Sequence, residues 1–119
     1  MKVTEYIDEQ FESVVETILN TDGRVIVTGI GKSAIVASKI VATLNSTGTP
    51  AVFMHAADAI HGDLGIIQSN DVVICISKSG NTEEIKVLVP LLKRLGVKVV
   101  GLVSSLDSFV GRTADYILN

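Results

Sequence analysis

The 119-residue chain is poor in aromatic side chains, has no tryptophan and a single cysteine, and contains no run of basic residues. Aromatics form 4% of it and the formal net charge is −3, so the composition argues against a nucleic-acid partner. The lone Cys75 cannot form an internal disulfide, and within an apolar run it is expected to be a packed, unreactive thiol. No apolar stretch approaches a membrane span and the first residues do not resemble a signal peptide, which predicts no membrane partner and a cytoplasmic location.

What is present is an ordinary globular composition, with 47% hydrophobic and 19% charged residues. The length suits one domain over residues 1–119 and leaves no room for two. Valine and isoleucine are abundant, and a core of β-branched aliphatic residues is typical of buried parallel strands.

Strand and helix patterns alternate along the chain. An amphipathic opening helix is predicted by apolar residues at helical spacing, namely Tyr6, Ile7, Phe11, Val14, Val15, Ile18 and Leu19. Strands are predicted at 24–28, 51–55, 71–76, 97–103 and 116–118, and later helices at 33–46, 83–95 and 107–113. This alternation predicts an α/β, doubly wound, flavodoxin-like sheet of five parallel strands in the order 2-1-3-4-5, flanked by helices.

Two turns are candidates for holding an anion. Gly29-Ile30-Gly31-Lys32-Ser33 follows the first strand and opens a helix, whose N–H groups favour negative charge. Ser77-Lys78-Ser79-Gly80-Asn81-Thr82 follows the third strand and brings three hydroxyls, an amide and a glycine before a long helix. A glycine turn with a solvated lysine and a turn rich in capping residues are the plainer interpretations.

Topology links the two turns. In the order 2-1-3-4-5, strands one and three are neighbours whose following helices lie on opposite faces, and the ligand crevice opens at that switch point. We therefore expect both turns to flank one pocket.

Other nucleotide-binding patterns fit less well. Gly29-x-Gly31-x-x-Ala34 meets a relaxed dinucleotide fingerprint, but the second strand ends at His55 instead of an acidic residue. A Walker loop would require glycine at Ile26. A flavodoxin would place the hydroxyl-rich turn after its first strand and commonly covers its flavin with aromatics, of which this chain has few.

The order of four motifs resembles the arabinose-5-phosphate isomerases, a branch of the sugar isomerase (SIS) domain family. The motifs are Gly-Ile-Gly-Lys-Ser at 29–33, Ser-Thr-Gly-Thr-Pro at 46–50, His-Gly-Asp-Leu-Gly at 61–65 and Ser-Lys-Ser-Gly-Asn-Thr at 77–82. The resemblance implies interconversion of D-arabinose 5-phosphate and D-ribulose 5-phosphate through an enediolate, a step towards the Kdo sugar of lipopolysaccharide. It also implies a homo-oligomer, as dimer or tetramer, and no required cofactor.

The same resemblance implies roles for individual residues. Lys32 and Glu84 would be catalytic. The residues expected to bind the sugar phosphate are Gly31, Ser33, Gly48, Thr49, His61, Ser77, Ser79, Gly80, Asn81 and Thr82. His55 would lie at a possible zinc site, although one histidine is a single ligand without an evident set of partners. Glu84 could instead close a capping box with Asn81, three residues earlier, and His61 could be an ordinary polar loop residue.

The family pattern continues past the last residue of this chain. Further important residues, a glutamate and a histidine, and a pair of CBS domains belong to segments beyond the fifth strand. The sequence is therefore interpreted as a truncated SIS domain core that alone would isomerise poorly. A non-catalytic module that binds a phosphosugar or a nucleotide sugar for regulation is the second hypothesis.

Overall fold

A computed structural model of the chain describes residues 13–14, 16–18, 20–29, 31–60, 65, 67–104 and 107–118. Its five parallel strands are β1 (Val25–Gly29), β2 (Ala51–His55), β3 (Val72–Ile76), β4 (Lys98–Leu102) and β5 (Tyr116–Leu118). They form one sheet in the order β2-β1-β3-β4-β5, which confirms the predicted fold class and strand order. The helices with described bounds are α1 (Lys32–Ser46), α2 (Ala56–Ile60), α3 (Glu83–Arg94) and α4 (Phe109–Thr113).

Two apolar clusters cover the two faces of the sheet. Because successive strand residues point to opposite faces, Ile26 and Val73 pack with residues of α2, α3 and α4. Val25, Val27 and Ile74 pack instead with α1 and with the helical backbone that precedes β1. All residues of β1 and β3 are buried, as expected for central strands covered on both sides. The helices that follow β1 and β3 therefore lie on opposite faces, as predicted.

The predicted boundaries hold to within one or two residues, with one omission. The segment after β2 contains α2, whose five residues are too few to show a helical period. Ala56 and Ala59 of this helix are fully buried against the sheet. Of the positions that predicted an opening helix, Val14 and Ile18 have helical backbone and pack in the second cluster. Residues 6, 7, 11, 15 and 19 lie outside the described residues.

Side-chain hydrogen bonds stabilise the edge of the sheet where the strands begin, here called the amino edge. Asp71 is buried beneath β1 and accepts hydrogen bonds from the backbone N–H groups of Arg24 (2.7 Å) and Gln68 (2.9 Å). The guanidinium of Arg24 lies 3.4 Å from its second oxygen. Asp115, before β5, accepts from the N–H of Val99 (2.8 Å) and from the Lys93 ammonium (2.6 Å). Each carboxylate thus accepts a backbone N–H at the start of a strand, Asp71 at β1 and Asp115 at β4.

Two further expectations concern the core and the membrane. Cys75 is fully buried in β3, and burial raises the pKa of its thiol to about 12, as expected for a packed, unreactive cysteine. Within the described ranges, no helix has the length and hydrophobicity needed to span a bilayer.

Candidate anion-binding site

The strand register brings the two candidate turns together. Gly29, the last residue of β1, is paired with Ile76, the last residue of β3, and on its other side with His55. The turns that follow β1 and β3 therefore leave the sheet from neighbouring positions at the edge where the strands end, the carboxyl edge. The predicted convergence of residues 29–33 and 77–82 at one edge is confirmed.

A groove of about 330 Å³ opens at this edge. Ser33 lines it from the start of α1, and Lys78 lines it from the turn after β3. The remaining lining residues are Val36, Ile76, Leu102, Val103 and Ser104. Its volume lies at the small end of the range for ligand pockets, which suits a metabolite of a few heavy atoms rather than a dinucleotide.

The hydroxyls of the second turn divide into two kinds. The Ser77 oxygen accepts from the N–H of Gly80 (3.0 Å), and the Ser79 oxygen accepts from the N–H of Asn81 (3.1 Å). In these contacts each hydroxyl is an acceptor, so its own O–H remains a donor for a ligand. The Thr82 hydroxyl is buried and, within the described part of the chain, has no hydrogen-bond partner. The hydrogen bonds within the turn therefore stabilise its shape, and its hydroxyl O–H groups remain available as donors for a ligand.

Glu84 does not close a capping box. The residue that caps α3 is Thr82, with φ −63° and ψ 150°, and its side chain makes no capping hydrogen bond. The box would require Asn81 in the capping position, so that interpretation is wrong. Glu84 is half-buried in the first turn of α3, and within the described residues its carboxylate has no hydrogen-bond partner. Capping therefore no longer accounts for this residue.

The first turn is more open than the second. Gly31 has φ 62° and ψ −130°, a conformation that favours glycine, and no described atom lies within 4 Å of where its Cβ would stand. Lys32 follows as the first residue of α1 and is exposed. Its ammonium can therefore move towards a ligand in the groove without breaking an ion pair within the described part of the chain.

Two predicted ligand residues lie elsewhere. Gly48 and Thr49 follow the end of α1, where the N–H of Thr49 bonds to Leu44 and the carbonyl of Pro50 accepts from Val25 at the start of β1. They stand at the amino edge, a strand length of roughly 13 Å from the 77–82 turn at about 3.3 Å per residue. Within one chain they do not share the groove with Ser33 and Lys78. His61 lies outside the described residues.

His55 does stand at the carboxyl edge, next to Gly29. Its Nδ1 accepts from the N–H of Ala57 (3.2 Å), and its ring meets Phe53 edge to face at 6.3 Å between centroids. Among the residues that the structure describes, no group of three or more His, Cys, Asp and Glu could hold a metal. The described residues do not complete a zinc site, and zinc at His55 stays a prediction.

The segment after β4 also contributes to the site, and no motif in the sequence predicted it. Ser104 lines the groove, and Ser108 is buried against Gly80 of the second turn. A signal was present, because every strand of a parallel sheet ends at the same edge and Ser104 and Ser108 follow the fourth strand.

A second cavity, of about 500 Å³, lies at the amino edge among residues such as Thr21, Asp71 and Lys98. Although it is larger, Gly96 at the end of α3 lines it, and helix carboxyl ends carry partial negative charge. Its buried carboxylate, Asp71, is already bonded to neighbouring backbone. An anion is therefore better placed at the carboxyl edge, where α1 and α3 begin.

The structure is an α/β domain with a doubly wound sheet, and a glycine–lysine turn and a hydroxyl-rich turn meet at its switch point, the place where such sheets commonly bind ligands. A family model described as the SIS domain matches residues 18–119. The chain belongs to the SIS domain family.

Relatives agree with this assignment. A probable arabinose 5-phosphate isomerase of Haemophilus influenzae is 40% identical over 119 residues, which are 100% of this chain and 35% of that protein. The solved structure of c3406 from Escherichia coli CFT073, in complex with arabinose 5-phosphate, is 39% identical with a TM-score of 0.90, covering 93% of this chain and 59% of that one. The sugar isomerase domain of an RpiR transcription factor from Sphaerobacter thermophilus is 29% identical with a TM-score of 0.80, covering 92% and 62%. The chain spans about a third of the length of the curated relatives.

Proposed function

We propose that this chain is the sugar-phosphate-binding domain of an aldose–ketose isomerase that interconverts D-arabinose 5-phosphate and D-ribulose 5-phosphate. The observation that carries the proposal is the pairing of Gly29 with Ile76, which sets a lysine-bearing turn beside a hydroxyl-rich turn. The 40% identity to a protein named for this activity, and the similarity to a structure in complex with arabinose 5-phosphate, support this choice of substrate.

The phosphate is assigned to the second turn. Ser79 and Thr82 carry hydroxyl donors there, and Ser77 supports the turn from beneath. The first N–H groups of α3 add donors, because they have no partner one turn earlier in the helix. Hydrogen bonds to an ionised group are stronger than neutral ones, so these donors favour a phosphate, and Lys78 of the same turn adds a positive charge at the groove. Binding energy gained here orients the sugar carbons.

The chemistry is assigned to two charged side chains. Isomerisation moves a proton between C1 and C2, so it needs a base near these carbons and a stabiliser for the enediolate oxygen. Glu84 is the candidate base, because its half-buried carboxylate has no other described partner. Lys32 is the candidate stabiliser, because the open turn at Gly31 lets its ammonium approach the developing charge.

Several companion statements belong to the same proposal. The reaction needs no redox cofactor, and no step is assigned to a metal. We propose a homo-oligomer, supported by the apolar side chains of Ile35 and Val36, which are 62% and 46% exposed on α1. A cytoplasmic location follows from the substrate, because an ionised sugar phosphate does not cross a lipid bilayer. The Kdo pathway is the proposed setting.

The test combines isothermal titration of D-arabinose 5-phosphate with a coupled isomerase assay, on this chain and on a protein of its relatives' full length. Lys32→Ala and Glu84→Ala should lower turnover far more than they weaken binding. Lys39→Ala and Glu83→Ala are matched controls, since both side chains are exposed and Glu83 shares the first turn of α3. Unchanged turnover in the first pair would remove these catalytic roles.

A regulatory module is the second candidate function. The similarity to the sugar isomerase domain of a transcription factor favours it, because that domain keeps the same fold. In that case the chain and the longer protein would both bind the phosphosugar and neither would isomerise it. Binding in both, with turnover only in the longer protein, supports the enzyme.

A further inference from the structure

The 77–82 turn is bonded along its length to the segment that follows β4. The N–H of Ser77 donates to the carbonyl of Leu102 (3.1 Å), and the N–H of Ser104 donates to the carbonyl of Lys78 (3.0 Å). These two bonds continue the β3–β4 ladder beyond the ends of both strands. They fix the start of the turn but leave its tip, Gly80 and Asn81, to other contacts.

The tip is held by the start of α4. The carbonyl of Gly80 accepts from the N–H of Val110 (3.1 Å), and the side-chain oxygen of Asn81 accepts from the N–H of Phe109 (2.9 Å). Phe109 and Val110 are the first two residues of α4, so neither N–H has a partner within that helix. Each bond therefore pairs an otherwise orphaned donor of α4 with an acceptor on the turn.

Ser108 occupies the space that a side chain at position 80 would need. A Cβ built on Gly80 would stand 2.3 Å from the Ser108 Oγ and 2.7 Å from its Cβ. Ser108 is 1% exposed, and its Oγ accepts from the N–H of Gly111 (3.0 Å) as the cap of α4. The serine is thus fixed by its capping bond in α4 and lies directly beside Gly80 of the turn.

We propose that Asn81 and Ser108 are positioning residues, which hold the 77–82 turn in its anion-binding shape and act on the phosphate through that turn. Asn81 acts on the turn through its side-chain oxygen, which is bonded to α4, and its NH2 group remains a donor for the ligand contact expected from the sequence. The proposal rests on the proposed function, because it takes the phosphate to be the ligand of this turn. A turn that already has its binding shape loses less binding free energy when its donors become ordered around the ligand.

The experiment uses the chain, with inorganic phosphate and D-arabinose 5-phosphate as probes and nitrogen-15 amide NMR as the readout. Asn81→Ala removes the acceptor for Phe109, so the Phe109 amide signal should move and phosphate affinity should fall about tenfold. Asn81→Asp keeps an acceptor oxygen, so it should restore the Phe109 signal. The aspartate also adds a negative charge that repels phosphate. Because salt screens this repulsion, the loss of phosphate affinity should be smaller at high ionic strength than at low.

Asn45→Ala is the matched control. The Asn45 amide also bonds to backbone, donating to the carbonyl of Ala51 (3.0 Å) and accepting from its N–H (2.9 Å), but at the amino edge. This variant should lose stability and keep its phosphate affinity within twofold. Equal losses of affinity in Asn45→Ala and Asn81→Ala would overturn the proposal, since both would then reflect general destabilisation.

Ser108 is tested through a pair of substitutions. Gly80→Ala should abolish phosphate binding, because its Cβ would overlap Ser108, and Ser108→Gly alone should lower phosphate affinity, because the cap of α4 and the contact beside Gly80 are lost. Unchanged phosphate affinity in Ser108→Gly would overturn the role of Ser108. If the unaltered chain binds neither probe, the proposed function fails. The positioning role is still tested by NMR, because unchanged amide signals of Ser79 and Thr82 in Asn81→Ala would refute it.

Discussion

The polar side chains at the two edges of the sheet differ in the hydrogen bonds that they make. At the amino edge, Asp71, Asp115 and Asn45 each accept from backbone N–H groups of neighbouring elements. At the carboxyl edge, the hydroxyls of Thr28 and Thr82 are buried and have no hydrogen-bond partner among the residues that the structure describes. A buried polar group without a partner costs free energy, so its retention calls for a reason other than stability.

The difference indicates a division of labour within one sheet. Strands begin at an edge where side chains join them, and they end at the edge where the proposed function places the ligand. A substitution at the amino edge should therefore change folding more than binding, and one at the carboxyl edge should do the reverse. Four measurements test this division.

The largest effect is expected for Asp71→Ala. It leaves the N–H groups of Arg24 and Gln68 without their acceptor, and two such losses cost about 2–5 kcal/mol of unfolding free energy. Urea unfolding followed by circular dichroism measures the loss. Asp22→Ala, an exposed neighbour at the same edge, is the control and should change stability by less than about 0.5 kcal/mol. Similar stabilities for both variants would contradict the role assigned to Asp71.

Thr82→Val should give the opposite result. The valine is close in shape and breaks no described hydrogen bond, so stability should stay within about 1 kcal/mol of the parent or rise. Affinity for D-arabinose 5-phosphate should fall by about tenfold or more, because a bond to an ionised group contributes roughly 1.5–3 kcal/mol. Thr43→Val, on α1 and bonded to Lys39, should leave affinity unchanged. A large loss of stability in Thr82→Val would break the comparison.

Thr28→Val tests the other hydroxyl. Thr28 is fully buried near the end of β1, so replacing its unpartnered hydroxyl by a methyl group should raise the free energy of unfolding by about 1 kcal/mol. The same urea experiment measures this gain. Destabilisation instead would mean that the hydroxyl has a partner in solution.

The smallest effect is expected for Asp115→Asn, and it depends on pH. Partial burial alone would raise the pKa of Asp115, but the hydrogen bonds from Lys93 and Val99 and the nearby positive charges leave it below its ordinary value. A lowered pKa in the folded state adds stability above the unfolded value near 4, and this stability is lost as the pH falls through the folded value.

The stability difference between the parent and Asp115→Asn should therefore be largest near neutral pH, at about 0.2–1 kcal/mol, and vanish in acid below the folded pKa. Unfolding curves at both pH values measure it. Lys98→Ala, which removes one of the nearby positive charges, should reduce the difference only slightly. A difference that grows on acidification would contradict the assigned sign.

Much of this arrangement could be predicted from local pattern. Alternating apolar strands and amphipathic helices predict a doubly wound sheet, because one-sided helices must cover buried strands. The turn chemistry after β1 and β3 predicted an anion site, and parallel topology predicted that the two turns meet. These predictions succeed because they depend on period, handedness and chain direction, which neighbouring residues already define.

The roles of particular residues could not be predicted in the same way. Asn81 and Glu84 have the spacing of a capping box, yet α3 begins at a residue capped by Thr82, one position later. Spacing also could not reveal that Gly48 and Thr49 lie at the far edge, or that Ser108 supports Gly80 from a distant part of the chain. Such facts depend on which elements pack together.

The amino-acid order alone thus determined the α/β class, the strand order and the edge at which the two candidate turns meet, since hydrophobic period and turn chemistry are local properties. Only the folded structure decided which hydroxyls bond within the turn and which have no hydrogen-bond partner among the described residues, because partners can come from segments distant in sequence. The support of the 77–82 turn by α4 arises solely from the packing of β3 beside β4.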